Sequence, residues 1–419
     1  MNSRPTHARA LTAGIRIDWI LEAAGWRRWI GWRLLEAIHI LRSTIVPGRT
    51  KLFPSMSSSV PVIDISPLLS LADNSDGGIS QHPQSVNSVV EQISNACKSY
   101  GFFAVTHHGV DPSIIDHAWN ASKEFFDLDP AIKSSVPMST YYPYGYENHE
   151  SLGIKRETLA SSVEEGTPSL SPDSKETFSI GPIDSIKSGM PPREFPSGAP
   201  SSFAPSLAKY FDSMEKLARV LFKGLALALQ LDDPSWFIRE GFFDEGHQCA
   251  LRMLNYPRLE YKEDLQRVRI RAGAHTDYGA FTILKSGGPG LQLKLSSDRS
   301  SGDKNDRDPS SWIDVPHLSG AFIINLGDLM QRWTNDRWRS TLHRVVAVGD
   351  GGNDPNDSKK IVFQSARRQS IAFFVNVNGN AIIVPFDSCV DDEHPSRYDA
   401  IKASRYLIQR HSQSMGDLA

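Results

Sequence analysis

The spacing of hydrophobic and polar residues changes character near residue 248. Before that point apolar residues recur mainly at helical intervals. The clearest run is 206–231, where Leu207, Tyr210, Phe211, Met214, Leu217, Val220, Leu221, Leu225 and Leu227 fall at helical spacing. This predicts one long helix packed on a sheet. Further helices are predicted over 89–100 and 112–126, each preceded by a short strand, at 60–65 and 101–107. The stretch 131–196 is rich in Ser, Pro, Tyr and Gly and reads as mostly loop. A loop of that length inside a domain is usually functional. After residue 248 the pattern becomes short alternating strands at 250–256, 275–284, 291–295, 321–326, 343–348 and 370–376, followed by helical spacing over 397–411. Regularly spaced short strands indicate a sandwich or barrel. Two polar runs, 296–311 and 349–360, read as solvated hairpin loops, and there are no internal repeats.

Length and composition narrow the class without naming a chemistry. With 419 residues, 40% hydrophobic and 22% charged, the chain suits one large domain or two intimate ones. A formal charge of −3 gives no reason to expect a nucleic-acid partner. Cys97, Cys249 and Cys389 are scattered, odd in number and without CxxC spacing, which favours a reducing compartment and no disulfide framework. No run of about 18 uncharged apolar residues is present, so a spanning helix is not expected.

The first 55 residues differ from the rest. Up to Thr50 there are eight arginines, no lysine and three acids. Trp19, Trp26, Trp29 and Trp32 are interleaved with aliphatic residues in a pattern that fits an amphipathic helix ending before Pro47. Three readings stand: an organelle-targeting segment, an interfacial helix, or sequence upstream of a true start at Met56. Location is accordingly expected to be cytoplasmic, or an organelle if the segment is a transit peptide. Membrane contact is expected only through this extension.

The candidate chemistry lies in the strand-rich half. His275 and Asp277 are two apart in a predicted strand, which puts both side chains on one face. His343 opens a later strand, in Thr-Leu-His-Arg-Val-Val, and a folded sheet brings it across to the first two. Two imidazoles and one carboxylate suit ferrous iron held on one face, with other coordination positions open. The absence of thiolates argues against a closed structural zinc site.

Downstream, Arg368-Gln369-Ser370 leads into an apolar strand, and period 2 places Arg368 and Ser370 together. A guanidinium and a nearby hydroxyl form a carboxylate anchor. Arg367 should face the other way and be structural or solvated. Tyr256, at the end of a strand, can reach the same acid.

These segments resemble a known family. Ala274-His275-Thr276-Asp277, Asn325-Leu326-Gly327-Asp328, Trp333-Thr334-Asn335, the run from Arg339 to Val345 and Arg368-Gln369-Ser370 look like the iron(II)- and 2-oxoglutarate-dependent oxygenases of the isopenicillin N synthase-like family. Upstream, Pro61-Val62-Ile63-Asp64, Tyr100-Gly101-Phe102-Phe103, His108-Gly109-Val110 and Lys175-Glu176-Thr177-Phe178 extend the likeness over roughly residues 60–411.

The resemblance implies an α+β fold, mainly β: a double-stranded β-helix, or jelly roll, flanked by helices including one long backbone helix. It divides the chain into an extension (1–55), an N-terminal region (56–200) and the long helix with the catalytic jelly roll (201–419). It implies Fe(II) on His275, Asp277 and His343, and 2-oxoglutarate on Arg368 and Ser370 with help from Tyr256. Dioxygen is the further co-substrate and ascorbate a candidate reductant. Phe102, Phe103, His107, His108, Gly327 and Asp328 are expected to be structural.

The expected reaction couples oxidative decarboxylation of 2-oxoglutarate to C–H oxidation of a small organic molecule, by a monomer. Substrate walls are expected from Tyr144, Tyr146, Met253, Phe281, Lys285 and Phe374. Lys285 reads either as a contact for an anionic substrate or as a solvated lysine. Three alternatives remain: an isopenicillin N synthase-type oxidase that needs no 2-oxoglutarate, a non-catalytic binding module, and a zinc hydrolase. The last lacks any HExxH motif.

Overall fold

Short segments with β-branched and aromatic residues pair into two principal sheets in the computed structural model, which describes residues 59–71, 83–139, 142–148, 175–239, 241–261, 270–295, 312–349 and 363–415. The strands are β1 (Val62–Asp64), β2 (Phe102–Thr106), β3 (Gly145–Asn148), β4 (Glu176–Ile180), β5 (Ala250–Tyr256), β6 (Leu259–Tyr261) and β7 (Ile270–His275). They continue with β8 (Phe281–Ser286), β9 (Leu291–Lys294), β10 (Trp312–Asp314), β11 (Phe322–Leu326), β12 (His343–Val346), β13 (Phe363–Ser365) and β14 (Arg368–Val375). The helices used below are α1 (Gln84–Ser99), α2 (Pro112–Phe126), α3 (Phe203–Ala228), α4 (Asp328–Trp333) and α5 (Ala403–Met415).

The larger sheet has the order β1-β2-β11-β8-β14-β5-β4-β3, and the smaller has the order β10-β9-β12-β7. All pairings in both are antiparallel except β1 with β2. This is the expected jelly-roll architecture, mainly β with flanking helices. The larger sheet draws strands from both sides of residue 200, and Ser58–Ala419 forms one compact unit.

Alternation along each strand sorts side chains to the two faces of the larger sheet. Leu251, Met253, Phe281, Ile283, Ile324, Ile371 and Phe373 point to the helical side and join the main apolar core. The long helix α3 covers that face: Phe211 packs edge-on against Phe373 at 4.9 Å, and Phe222 against Phe281 at 4.9 Å. A smaller apolar cluster, including Phe102, Tyr256, Ala272, Leu291, Leu293, Ile323 and Val345, lies between the two sheets.

The described part of the stretch 131–196 is mostly irregular, as expected, and also supplies β3 and β4, whose ladder with β5 extends the larger sheet. Two expectations need correction. The strand expected over 275–284 is two strands in different sheets. The last helix starts at Ala403 rather than near residue 397, after a polar turn in which Asp391 accepts from the backbone of His394. The extension 1–55 and almost all of the polar runs 296–311 and 349–360 lie outside the described residues. No helix among the described residues is long and apolar enough to cross a membrane.

Candidate active site

β7 ends at His275, after which the chain leaves the smaller sheet and enters the larger one at Phe281. Asp277 therefore sits in the crossing loop rather than on the strand that carries His275. Close backbone approach holds that loop. A side chain at Gly327 would overlap the Gly279 carbonyl, and one at Gly279 would overlap Asn376 and the Val375 carbonyl. The Asp328 amide donates to the Asp277 carbonyl at 2.8 Å, and Gly327 donates to Ala280 at 2.9 Å. The Asn325-Leu326-Gly327-Asp328 segment thus buttresses the loop from behind.

His343 opens β12 and stands directly opposite His275 in the β7–β12 ladder. The two imidazole rings are 4.3 Å apart, and Asp277 Oδ1 lies 3.8 Å from the Nε2 atom of each. All three residues can offer one ligand atom to a common metal ion, those atoms lying within 4.8 Å of one another. Each ring orientation has a local cause. Nδ1 of His275 lies 2.8 Å from the Gly273 carbonyl, and Nδ1 of His343 lies 3.0 Å from that of Thr341. A carbonyl only accepts, so each Nδ1 carries the proton and each Nε2 presents a lone pair.

Asp277 is oriented the same way. Its Oδ2 accepts from Thr282 Oγ1 at 2.5 Å and from Asn325 Nδ2 at 2.7 Å, which leaves Oδ1 turned to the two histidines. Phe102, expected to be structural, also meets the site: its ring stands edge-on to His343 at 5.3 Å. His107 instead pairs with Asp64, and Asp328 with Arg410 of α5.

Arg368 and Tyr256 are directly paired across the β14–β5 ladder, with the guanidinium 5.2 Å from the phenol ring centre. Arg368 Nε donates to the Pro289 carbonyl at 3.1 Å and Nη2 to Ser286 Oγ at 2.9 Å. Nη1 is buried without a partner among the described residues. Burial pulls the Arg368 pKa below its ordinary value, opposed by the adjacent Tyr256. A guanidinium nevertheless keeps its charge, so this is a desolvated cation with one donor left for an anion. Ser370, two positions along, is buried as well. Arg367 faces away, pairing with Asp127 and donating to Asn255 at 2.6 Å.

The triad and this cation line one cavity of about 640 Å³ between the sheets. The donor set fits a ferrous ion, and the unpartnered Nη1 fits a carboxylate.

Of the six expected wall residues, Tyr144 and Phe374 line the cavity. The other four do not. Met253 and Phe281 point into the core under α3, and Tyr146 is buried there with its hydroxyl 2.5 Å from Glu176. Lys285 shares the outer face of β8, toward Asp116 on α2, with its pKa lowered by burial and raised by Asp116. In each strand the neighbour of opposite parity faces inward instead: Arg252 and Leu254 on β5, Thr282 and Leu284 on β8. The sequence reading also missed Thr282 and Asn325. The available signal was a lone polar residue inside each apolar run, Phe-Thr-Ile-Leu and Phe-Ile-Ile-Asn-Leu, since a buried polar group needs a partner. It missed α5 too, whose Ser404, Leu407, Ile408, His411 and Ser412 close one side of the cavity.

Comparison with known proteins agrees with this arrangement. Residues 60–198 match the family described as non-haem dioxygenase in morphine synthesis N-terminal, and residues 248–377 match the 2OG-Fe(II) oxygenase superfamily. A homoarginine-6-hydroxylase of Arabidopsis thaliana is 29% identical over 337 residues, 79% of this chain and 88% of that protein. The 2-oxoglutarate-dependent dioxygenase tropC of Talaromyces stipitatus is 29% identical over 341 residues, 78% and 89% of the two chains. The crystal structure of Neurospora crassa T7H with alpha-KG and 5-formyluracil superposes with a TM-score of 0.64 at 25% identity, covering 86% of this chain and 98% of that one. The chain belongs to the 2OG-Fe(II) oxygenase superfamily.

Proposed function

We propose that His275, Asp277 and His343 hold the ferrous ion, and that Arg368 and Ser370, with Tyr256 beside them, receive the far carboxylate of 2-oxoglutarate. The chain is an Fe(II)- and 2-oxoglutarate-dependent dioxygenase. It couples conversion of 2-oxoglutarate to succinate and carbon dioxide with C–H oxidation of a small organic molecule. Iron(II), when bound, supplies open coordination positions at which the oxo acid and dioxygen meet.

The protein's part is positioning. The Gly273 and Thr341 carbonyls fix the tautomers that offer Nε2. Thr282 and Asn325 hold the Asp277 carboxylate in its orientation. Arg368, buried and one donor short, gains its missing partner when a carboxylate enters, which makes the anchor selective for a dianionic oxo acid long enough to reach it. The observation that carries the reading is the Asp277 carboxylate, one oxygen held by two donors and the other facing two Nε2 lone pairs. Relatives named as 2-oxoglutarate-dependent enzymes favour this over the oxidase that uses no oxo acid.

An anaerobic titration of the iron(II) protein with 2-oxoglutarate tests the assignment. A weak visible charge-transfer band should saturate at one equivalent, and Arg368→Ala should weaken the affinity by roughly tenfold or more, the loss of a charge-assisted hydrogen bond. No band in the wild type, or an unchanged affinity in Arg368→Ala, overturns it. One relative is named for homoarginine and another structure holds 5-formyluracil, so the substrate has to be read from this chain's own cavity.

A further inference from the structure

One side of the cavity is walled by α5. Its lining residues, Ser404, Leu407, Ile408, His411 and Ser412, fall at positions i, i+3, i+4, i+7 and i+8, which is one stripe of a helix. Ile408 is 65% exposed although the stripe around it faces a cavity. An apolar side chain left open at the mouth of a pocket, continuous with Leu254 and Phe374 on the sheet opposite, is a surface that a ligand can cover.

The helix is held in place against the metal-ligand loop. Arg410 pairs with Asp328 at 3.0 Å, donates to Thr276 Oγ1 at 3.1 Å and lies 4.9 Å from the Tyr278 ring centre. Thr276 separates His275 from Asp277. Tyr406 adds a hydrogen bond to Asp328 at 3.3 Å, and the helix start is tied down by Ala403 to the Ala381 carbonyl at 2.9 Å. α5 also lies outside both family matches, which end at residues 198 and 377. The shared chemistry sits on the common core, and the wall that faces the substrate space is built from sequence beyond it.

We propose that α5 is the specificity wall of this enzyme: Leu407 and Ile408 pack on the apolar face of a small organic substrate, while Arg410 and Tyr406 keep that wall in register with the loop bearing Asp277. The proposal rests on reading the cavity as the substrate site.

The probe is 1-anilinonaphthalene-8-sulfonate, a fluorescent aromatic anion, added to the anaerobic iron(II) enzyme with saturating 2-oxoglutarate. One equivalent should bind per chain. Ile408→Asn should weaken binding at least fivefold, and Leu407→Ala combined with Ile408→Asn at least tenfold. Ile186→Asn, at an apolar residue 91% exposed elsewhere on the surface, should change it less than twofold. The 2-oxoglutarate charge-transfer titration should stay within twofold of wild type in all three variants, which shows that the site is still folded. Absence of probe binding in the wild type, or equal binding in the wild type and the α5 variants, overturns the proposal. Loss of the charge-transfer band in the wild type would instead count against the iron and co-substrate assignment, which separates the two failures.

Discussion

The two faces of the larger sheet are made by the same strands and do opposite work. On β5, β8, β11 and β14 the residues of one parity are Leu251, Met253, Phe281, Ile283, Ile324, Ile371 and Phe373, all packed under α3. Their neighbours of the other parity are Arg252, Leu254, Tyr256, Thr282, Asn325, Arg368 and Ser370, all lining the cavity. One face holds the fold together by burying apolar area. That stability lets the other face keep a desolvated cation and a carboxylate with one oxygen turned inward, groups that are costly to bury alone. A two-residue period is therefore enough to place chemistry and stability side by side along one strand.

Substitutions on either face separate the two roles. The largest effect is expected for Asp277→Ala on the cavity face: iron(II) binding and succinate formation should fall to background, while the far-UV circular dichroism spectrum stays that of the folded protein. Retained iron stoichiometry would remove Asp277 from the ligand set. Next comes Phe281→Ala, four residues along but on the helical face. It should cost about 3–5 kcal/mol of stability, measured by denaturant unfolding, because a buried ring is lost from the contact with Phe222. Below its lowered Tm the variant should still bind iron; loss of both together would mean that the faces are not independent. The smallest effect is expected for Tyr256→Phe, which keeps the ring under Arg368 and removes one hydroxyl. 2-Oxoglutarate should bind less tightly by about tenfold at most, the scale of a single hydrogen bond. A larger loss would promote Tyr256 to a principal anchor.

Much of this was legible in the sequence, for physical reasons that also explain the failures. The long helix was visible because apolar residues recur at helical spacing from Leu207 to Leu227. His275, Asp277 and His343 stood out by residue type and order. That His275 and Asp277 belong to a strand end and a crossing loop was not visible, because the switch between sheets depends on Gly279 and Gly327 meeting across 48 residues of sequence. β3 and β4 were hidden among loop-forming residues, since their pairing with β5 rather than local propensity makes them strands. Tyr146, Met253, Phe281 and Lys285 failed as wall residues because they were chosen by side-chain type and proximity to a motif. Parity counted from Tyr256 would have selected Arg252 and Leu254 on β5 instead.

The adjacent pair Ile324 and Asn325 on β11 offers the most direct measurement. Asn325 donates to Asp277 Oδ2, and Ile324 points into the core under α3. Iron(II) affinity, read by anaerobic titration, is predicted to fall about 10–100-fold in Asn325→Ala through loss of the group that aims the carboxylate. In Ile324→Ala it should stay near wild type at a temperature where the protein is folded, although that variant loses about 2–5 kcal/mol of stability. Equal iron affinity in Asn325→Ala and wild type, or an equal loss in both variants, would contradict the account.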